Sequence, residues 1–200
     1  MTKEEEILKA AEEEFFRNGY EATTSAAIAK RAGVTHAMVN YYFRTKEKLF
    51  VQILDNHVYG LLQSLKPLMK ADGNVANVAI EAAKVIFDAF NADRLFPFLV
   101  VDTVRKHPDF LLRYKETVLS LCMESMELHE QRLKKCISDG AVRECTMDDI
   151  YYNVLTLSIS PFLDIPMMED IVGLSPDRID SFLEARREDM VKVLKARFCV

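Results

Sequence analysis

The chain has 200 residues, half of them hydrophobic, and a net charge of −5. This length suits one domain of moderate size or a small domain joined to a larger one. Six glycines and six prolines are too few for a loop-rich all-β protein or a disordered chain. No apolar run approaches the roughly 18 residues of a membrane span. The acidic N-terminal segment is the opposite of a signal peptide. We therefore expect a cytoplasmic protein without membrane contact.

The charge is distributed unevenly along the chain. Thr24–Lys48 holds five basic residues and one acidic residue, whereas residues 51–200 hold 18 basic and 23 acidic residues. The net charge excludes a uniformly basic nucleic-acid binder, but the distribution predicts a local positive patch on an acidic body.

Two helices are predicted at the N-terminus. Thr2 and Glu5 form a capping box that opens the first one, and Gly19 ends it. The Thr23-Thr24-Ser25 segment offers N-caps for the second helix, which Gly33 ends after about two turns.

A third short helix follows the tight turn at Gly33-Val34. Thr35 caps this helix, and Val39, Tyr42 and Phe43 are predicted to face inward. Two short helices joined by such a turn indicate a helix-turn-helix.

The rest of the chain also shows helical periodicity, and no segment alternates as a strand would. Body helices are predicted from Thr45 to about Pro67, from about Val75 to Phe90, around Pro97, from His107 to about Ser138, from Thr146 to a bend or end at Pro161 and Pro166, and from Ser175 onwards. We therefore predict an all-α fold of about nine helices. It comprises a three-helix helix-turn-helix head at residues 1–47 (the head) and a larger helical bundle at residues 48–200 (the body), with roles in DNA binding and in ligand binding and dimerisation.

The second helix of a helix-turn-helix reads bases in the major groove. Here it presents His36, Asn40 and Tyr41 outward and carries no charge. Asn40 can form two hydrogen bonds with adenine, His36 can bond a purine edge, and Tyr41 can contact a thymine methyl group. The alternative for His36 and Asn40 is a merely solvated helix surface.

Phosphate contacts are predicted on either side of this helix. Thr24 and Ser25 begin the preceding helix, whose N-terminus favours anions. Lys46 begins the following helix, and its ammonium is predicted to contact phosphate. Arg44 and Lys48 are left open between phosphate contact and simple solvation.

The segment ILKAAEEEFFRNGYEATTSAAIAKRAGVTHAMVNYYFRTKEKLF resembles the DNA-binding head of the TetR/AcrR family of bacterial regulators. The shared features are the double phenylalanine that ends the first helix, Gly-Tyr, Thr-Thr, Ile-Ala, Ala-Gly-Val, Tyr-Phe and KEKLF, in that order. The resemblance covers about 45 residues, so residues 51–200 fit the family only in their helical pattern.

The resemblance implies particular roles for residues of the head. Thr24 or Ser25, Tyr42 and Lys46 match phosphate-contacting positions, and the groove-facing positions, together with the cap of their helix, are Thr35, His36, Ala37, Met38, Asn40 and Tyr41. Met38 stands where a small hydroxyl residue is frequent, and Asn40 where tyrosine is frequent. The operator sequence therefore cannot be carried over from the family.

The resemblance also implies a homodimeric repressor that a small molecule releases from its operator. The candidate ligand pocket consists of Phe87, Phe90, Met123, Met126 and Tyr151, for which an ordinary core is the alternative. Polar residues are few in this region, so the effector is expected to be mainly apolar. We expect the homodimer to form through the last two long helices, because one short recognition helix reads few base pairs.

Two other functional classes were weighed against a regulator. An enzyme is disfavoured because the chain lacks GxSxG, HExxH, P-loop and Gly-rich dinucleotide motifs. No catalytic residue, metal site or cofactor is predicted, and the four cysteines lack zinc-site spacing. A helix-turn-helix adaptor, or a constitutive DNA binder without an effector, remains the alternative.

Overall fold

A computed structural model describes the backbone of residues 2–200 and the side chains of residues 2–116 and 127–200. Within this range the chain forms eleven helices and no strand beyond an isolated bridge between Val142 and Cys199. The all-α prediction is confirmed. The described chain divides into two compact units: the first comprises the chain up to Gly60 together with Phe98–Arg113, and the second comprises Leu61–Pro97 and Tyr114–Val200.

The first unit begins with α1 (Lys3–Ala22), α2 (Ser25–Ala32) and α3 (His36–Phe43). Side-chain oxygens cap all three, because Thr2, Thr24 and Thr35 each accept a hydrogen bond from a backbone N–H of the first turn. These caps are local in sequence, which is why they can be predicted without knowledge of the fold.

Two glycines set the path of the head. Gly33 ends α2 with φ 64° and ψ 31°, a left-handed conformation that glycine adopts without steric cost. Gly19 interrupts α1 with φ 73° and ψ 173°, so the helix kinks there instead of ending. The kink places Thr23 where its hydroxyl donates to the carbonyls of Glu14 and Gly19.

A cluster of aromatic rings forms the core of the first unit. Phe15 and Tyr20 of α1 contact Phe50, with ring centroids 4.9 and 4.7 Å apart. Phe50 belongs to α4 (Lys46–Met69), a helix that begins in the first unit and ends in the second. The ring of Phe110 lies 5.0 Å from Tyr20 and 5.3 Å from Phe50 and completes the cluster. The core of this unit therefore needs a residue about 60 positions downstream in the chain.

Phe110 lies on α7 (Asp109–Leu112), which follows α6 (Phe96–Lys106). The single helix predicted from His107 to about Ser138 is wrong: it divides into α7 and α8 (Lys115–Ser138), with a break at Arg113-Tyr114. Tyr114 is 3 % exposed. Burial of that ring is a tertiary effect that local periodicity does not register.

The second unit also contains α5 (Val75–Ala92), α9 (Met147–Leu163), α10 (Ile165–Asp170) and α11 (Pro176–Phe198). α5, α9 and α11 pack on one another and enclose the core of this unit.

Prolines bound these helices less than the sequence predicts. Pro161 lies inside α9, which continues to Leu163. Pro166 and Pro97 stand near the starts of α10 and α6, where the missing N–H is not needed.

Candidate nucleic-acid interface and cavity

The third helix presents one apolar face to the core and one mixed face to solvent. Val39 and Phe43 are buried, which holds α3 in place. His36, Asn40 and Tyr41 are exposed, and Tyr41 retains 80 % of its accessible surface. Ala37 is also exposed and leaves room between the larger side chains. A duplex approaching α3 would therefore meet polar and aromatic groups without charge.

The exposed groups on α3 lie close to one another. The side-chain amide of Asn40 lies 3.5 Å from Nδ1 of His36, one turn earlier. The Tyr41 ring meets the Tyr42 ring edge to face at 5.2 Å. Tyr42 is 38 % exposed, so the prediction that it faces inward is wrong. Its hydroxyl is available to a phosphate, whereas Val39 and Phe43 alone anchor the helix.

Hydroxyl groups mark the starts of both helices of the motif. The Thr24 hydroxyl accepts from the N–H of Ala27 at 3.1 Å, and that of Thr35 accepts from the N–H of Met38 at 3.3 Å. Both residues are exposed, and Ser25 is half-buried. Because a capping hydroxyl uses only its acceptor in this bond, the O–H of each threonine remains a donor for a phosphate oxygen.

Lys46 is half-buried and engaged within the first unit. Its ammonium donates to the carbonyl of Tyr20 at 2.9 Å and more weakly to that of Glu21 at 3.5 Å. It also lies 4.3 Å from the centre of the Tyr20 ring, within range of a cation–π interaction. Lys46 thus caps the last turn of α1.

The other cations of the positive patch divide into one paired and three unpaired residues. Arg31 binds Glu14 at 2.5 Å and Glu13 at 3.1 Å, and the hydrogen bond from Glu14 is the main cause of its raised pKa. Lys30, Arg44 and Lys48 are exposed, without an ion pair to any described side chain. Of the cations beside α3, Arg44 and Lys48 are therefore free to meet phosphates.

A cavity of about 340 Å³ lies within the second unit. Its wall consists of apolar side chains from α4, α5 and α9 together with His129 of α8. Phe90 and Tyr151, both predicted pocket residues, lie on this wall. Phe87 lies elsewhere: it is buried, and its ring packs on Phe162 at 4.9 Å.

Met123 and Met126 lie outside the residues whose side chains are described. The size of the cavity is at the lower end of the roughly 300–1,000 Å³ that small-molecule sites occupy.

His129 is the cavity residue that the sequence-based prediction missed. It is 6 % exposed and lies one turn before the buried Leu133 on α8. Its ring hydrogen-bonds the backbone of Met69 and Leu68, and Nδ1 has no partner among the described residues. Burial, with a smaller effect from Arg132, lowers its pKa. The spacing of His129 and Leu133 was the one signal of its inward position.

Searches of the described residues for two other features found neither. No helix there is long and apolar enough to cross a bilayer. No group of three or more His, Cys, Asp or Glu side chains within that range is placed to hold a metal ion.

Known proteins resemble this chain most clearly in its N-terminal quarter. Residues 7–53 match the profile of bacterial regulatory proteins of the tetR family. The transcriptional regulator QacR of Staphylococcus aureus is 42% identical over 55 residues, which are 28% of this chain and 29% of QacR. The transcriptional repressor NicS of Pseudomonas putida is 24% identical over 178 residues, covering 82% of this chain and 81% of NicS.

The fold of the whole chain also has solved counterparts. The TetR family transcriptional regulator PfmR of Thermus thermophilus superposes with a TM-score of 0.61 at 18% identity. The superposition covers 93% of this chain and 97% of PfmR. At this identity the likeness establishes a shared fold and nothing about the ligand.

Proposed function

This chain belongs to the tetR family of bacterial regulatory proteins, and on that premise we propose that it is a homodimeric repressor that a small apolar molecule releases from its DNA operator. Members of the family are DNA-binding transcriptional regulators and not enzymes. Dimers, operator DNA and small-molecule effectors are typical of them. What is proposed for this chain is the set of residues that serve each role.

The exposed face of α3 is the observation that best supports DNA reading. Asn40, His36 and Tyr41 are exposed together, while burial of Val39 and Phe43 fixes their direction. Asn40 is assigned to an adenine edge and Tyr41 to a thymine methyl group. A rigid helix with adjacent donors and acceptors suits base reading better than a protein-binding surface, which is usually more apolar.

Phosphates are assigned to the hydroxyls of Thr24, Thr35 and Tyr42 and to the cations Arg44 and Lys48. Lys46 contributes its third N–H at most, because two of its donors already point to carbonyls of α1. Its main role is to fix the end of α1 against the start of α4.

The cavity supports an effector role for the second unit. It is enclosed by apolar side chains and holds very few polar groups, so a mainly apolar ligand fits it. A ligand that prefers the form of the dimer unable to bind DNA weakens operator binding by a typical coupling of about 1–3 kcal/mol, which is about 5- to 150-fold.

The homodimer is assigned to α9 and α11, the last two long helices. One face of α9 carries Tyr152, 72 % exposed, with Thr156, Ile159 and Leu163 following at helical spacing. Val193 of α11 is also 46 % exposed. An apolar stripe of this kind is stabilised when a second copy covers it.

The test of DNA binding is a gel shift of the full chain on the DNA upstream of its own gene, followed by footprinting. We expect a palindromic site with half-sites about 34–36 Å apart, or somewhat wider. A single asymmetric half-site, or a monomer in solution at micromolar concentration, would contradict the dimer. Failure to bind any duplex would favour the adaptor alternative, and binding that no ligand affects would favour a constitutive binder.

A further inference from the structure

Building on the effector role proposed above for the cavity, we propose that its ligand is an apolar molecule carrying one hydroxyl group, which donates a hydrogen bond to Nδ1 of His129. An apolar cavity alone would accept any hydrocarbon of suitable size. A single acceptor on its wall distinguishes molecules that carry a donor from those that do not.

The geometry leaves Nδ1 of His129 available to a ligand. The residue lies on the cavity wall and is 6 % exposed, and Nδ1 has no partner among the described residues. A buried acceptor without a partner is costly, and such atoms are rare in folded proteins. A hydroxyl group delivered by a ligand would satisfy it.

The opposite side of the same ring holds the end of a helix. The ring bonds the backbone of Met69 and Leu68, at the last turn of α4. Because Nδ1 is unpartnered, Nε2 carries the proton and donates to these carbonyls, which the helix itself leaves without partners. Arg132, one turn later on α8, donates to the carbonyl of Ala71 just beyond. His129 therefore contacts both the cavity and the C-terminal end of α4.

The charge around the ring favours the tautomer that this role needs. Burial, and to a lesser degree the nearby Arg132 guanidinium, keeps the pKa of His129 below its usual value of 6.5. At neutral pH the ring is thus uncharged, with Nε2 as donor and Nδ1 as acceptor. An ether or ketone ligand would bring a second acceptor to Nδ1 and gain nothing from it.

The experiment compares matched ligands that differ only in the donor. Octanol and methyl octyl ether form one pair, and para-butylphenol and para-butylanisole form the other. Binding to the full chain is measured by isothermal titration calorimetry at neutral pH. We expect each hydroxyl compound to bind on the order of tenfold more tightly than its ether, the factor that corresponds to one neutral hydrogen bond.

Two variants separate the two nitrogens of the ring. In His129→Gln the side-chain amide lies near the position of Nε2, so the donor to α4 is kept and the acceptor toward the cavity is lost. In His129→Asn the amide oxygen lies near the position of Nδ1, so the acceptor is kept. We expect the preference for hydroxyl compounds to disappear in His129→Gln and to persist in His129→Asn, with thermal unfolding used to confirm that both variants fold.

The wild-type ligand comparison is decisive even if a variant fails to fold. Equal binding of hydroxyl compound and ether, an undiminished preference in His129→Gln, or no binding of either hydroxyl compound would overturn the proposal. Operator titration with each ligand separates it from the proposed effector function. A hydroxyl preference without any change in operator affinity would leave the ligand chemistry standing and refute the effector role, whereas equal release by ethers would do the reverse.

Discussion

The ammonium of Lys46 donates a hydrogen bond to the carbonyl oxygen of Tyr20 over 2.9 Å and lies 4.3 Å from the centre of the same residue's ring. One side chain at the start of α4 thus contacts both the backbone and the aromatic ring at the kinked end of α1. This arrangement gives Lys46 a structural role in addition to any contact with DNA.

Replacing Lys46 with methionine should therefore destabilise the protein. The change keeps the aliphatic stem but removes the charge-assisted hydrogen bond and the cation–π contact, at a cost of about 1–3 kcal/mol. Urea unfolding measures the difference. Lys48→Met is the matched control, because Lys48 is exposed and should change stability by less than about 0.5 kcal/mol. Equal stability of the two variants would mean that Lys46 acts on DNA alone.

Lys48→Ala should instead affect DNA binding without regard to sequence. An unpaired surface cation that neutralises one phosphate releases about one counterion. The variant should therefore bind the operator and random DNA with similarly reduced affinity, and its salt slope should fall by about one unit per subunit. Affinity titrations over a series of salt concentrations test this, and an unchanged slope would leave Lys48 as a merely solvated charge.

Asn40→Ala should weaken binding to the operator selectively. Loss of a bidentate contact with a base costs about 1–3 kcal/mol per subunit on the operator and little on random DNA. Competition gel shifts with the two kinds of duplex provide the ratio. Lys30→Ala, which removes an exposed charge from α2, serves as the comparison. Equal weakening on both duplexes by Asn40→Ala would show that Asn40 does not read a base.

Arg44→Gly should stabilise the protein while weakening its binding to DNA. Arg44 is the one described residue other than glycine with positive φ, 61°, and such conformations cost about 1–3 kcal/mol. Glycine relieves part of this strain, so the free energy of unfolding should rise by about 1 kcal/mol. Arg44→Ala removes the same charge without relieving the strain. If both variants unfold alike, the backbone at this position is not strained.

Acidification should destabilise the wild-type protein through His129. Its pKa is lowered in the folded protein, mainly by burial, whereas in the unfolded chain it returns to about 6.5. As the pH falls below that value, the unfolded chain binds the proton first, and stability is lost by up to about 1.4 kcal/mol per pH unit. Urea unfolding at about pH 7.5 and pH 5.5 should show a larger loss in the wild type than in His129→Gln, which has no ring to protonate. Identical losses would contradict burial of a neutral ring.

Local features of the fold could be predicted from the sequence, and non-local ones could not. The caps at Thr2, Thr24 and Thr35 depend on bonds three residues apart, so their residue types are sufficient evidence. The contact of Phe110 with Phe50 joins distant parts of the chain, and nothing near either residue in the sequence indicates it.

The two candidate sites differ in the same way. The exposure of His36 and Asn40 follows from helical periodicity once Val39 and Phe43 are placed inside. A cavity is space that side chains leave unfilled, and its volume depends on how α4, α5, α8 and α9 meet. Composition alone therefore identified Phe90 and Tyr151 as candidates for its wall but could not distinguish them from the buried Phe87.

The dependence of the first unit on Phe110 bears on recombination between regulators of this family. A hybrid protein that exchanges only residues 1–47 would separate Tyr20 and Phe50 from the ring that evolved beside them, because that ring is encoded much later in the chain. A crossover that keeps the three aromatic residues from one parent must exchange two segments, the second of them spanning residues 98–113. Simple grafting of the DNA-reading helices onto another sensor would thus yield a poorly matched core, and the DNA specificity of such hybrids would be limited by folding before it is limited by base contacts.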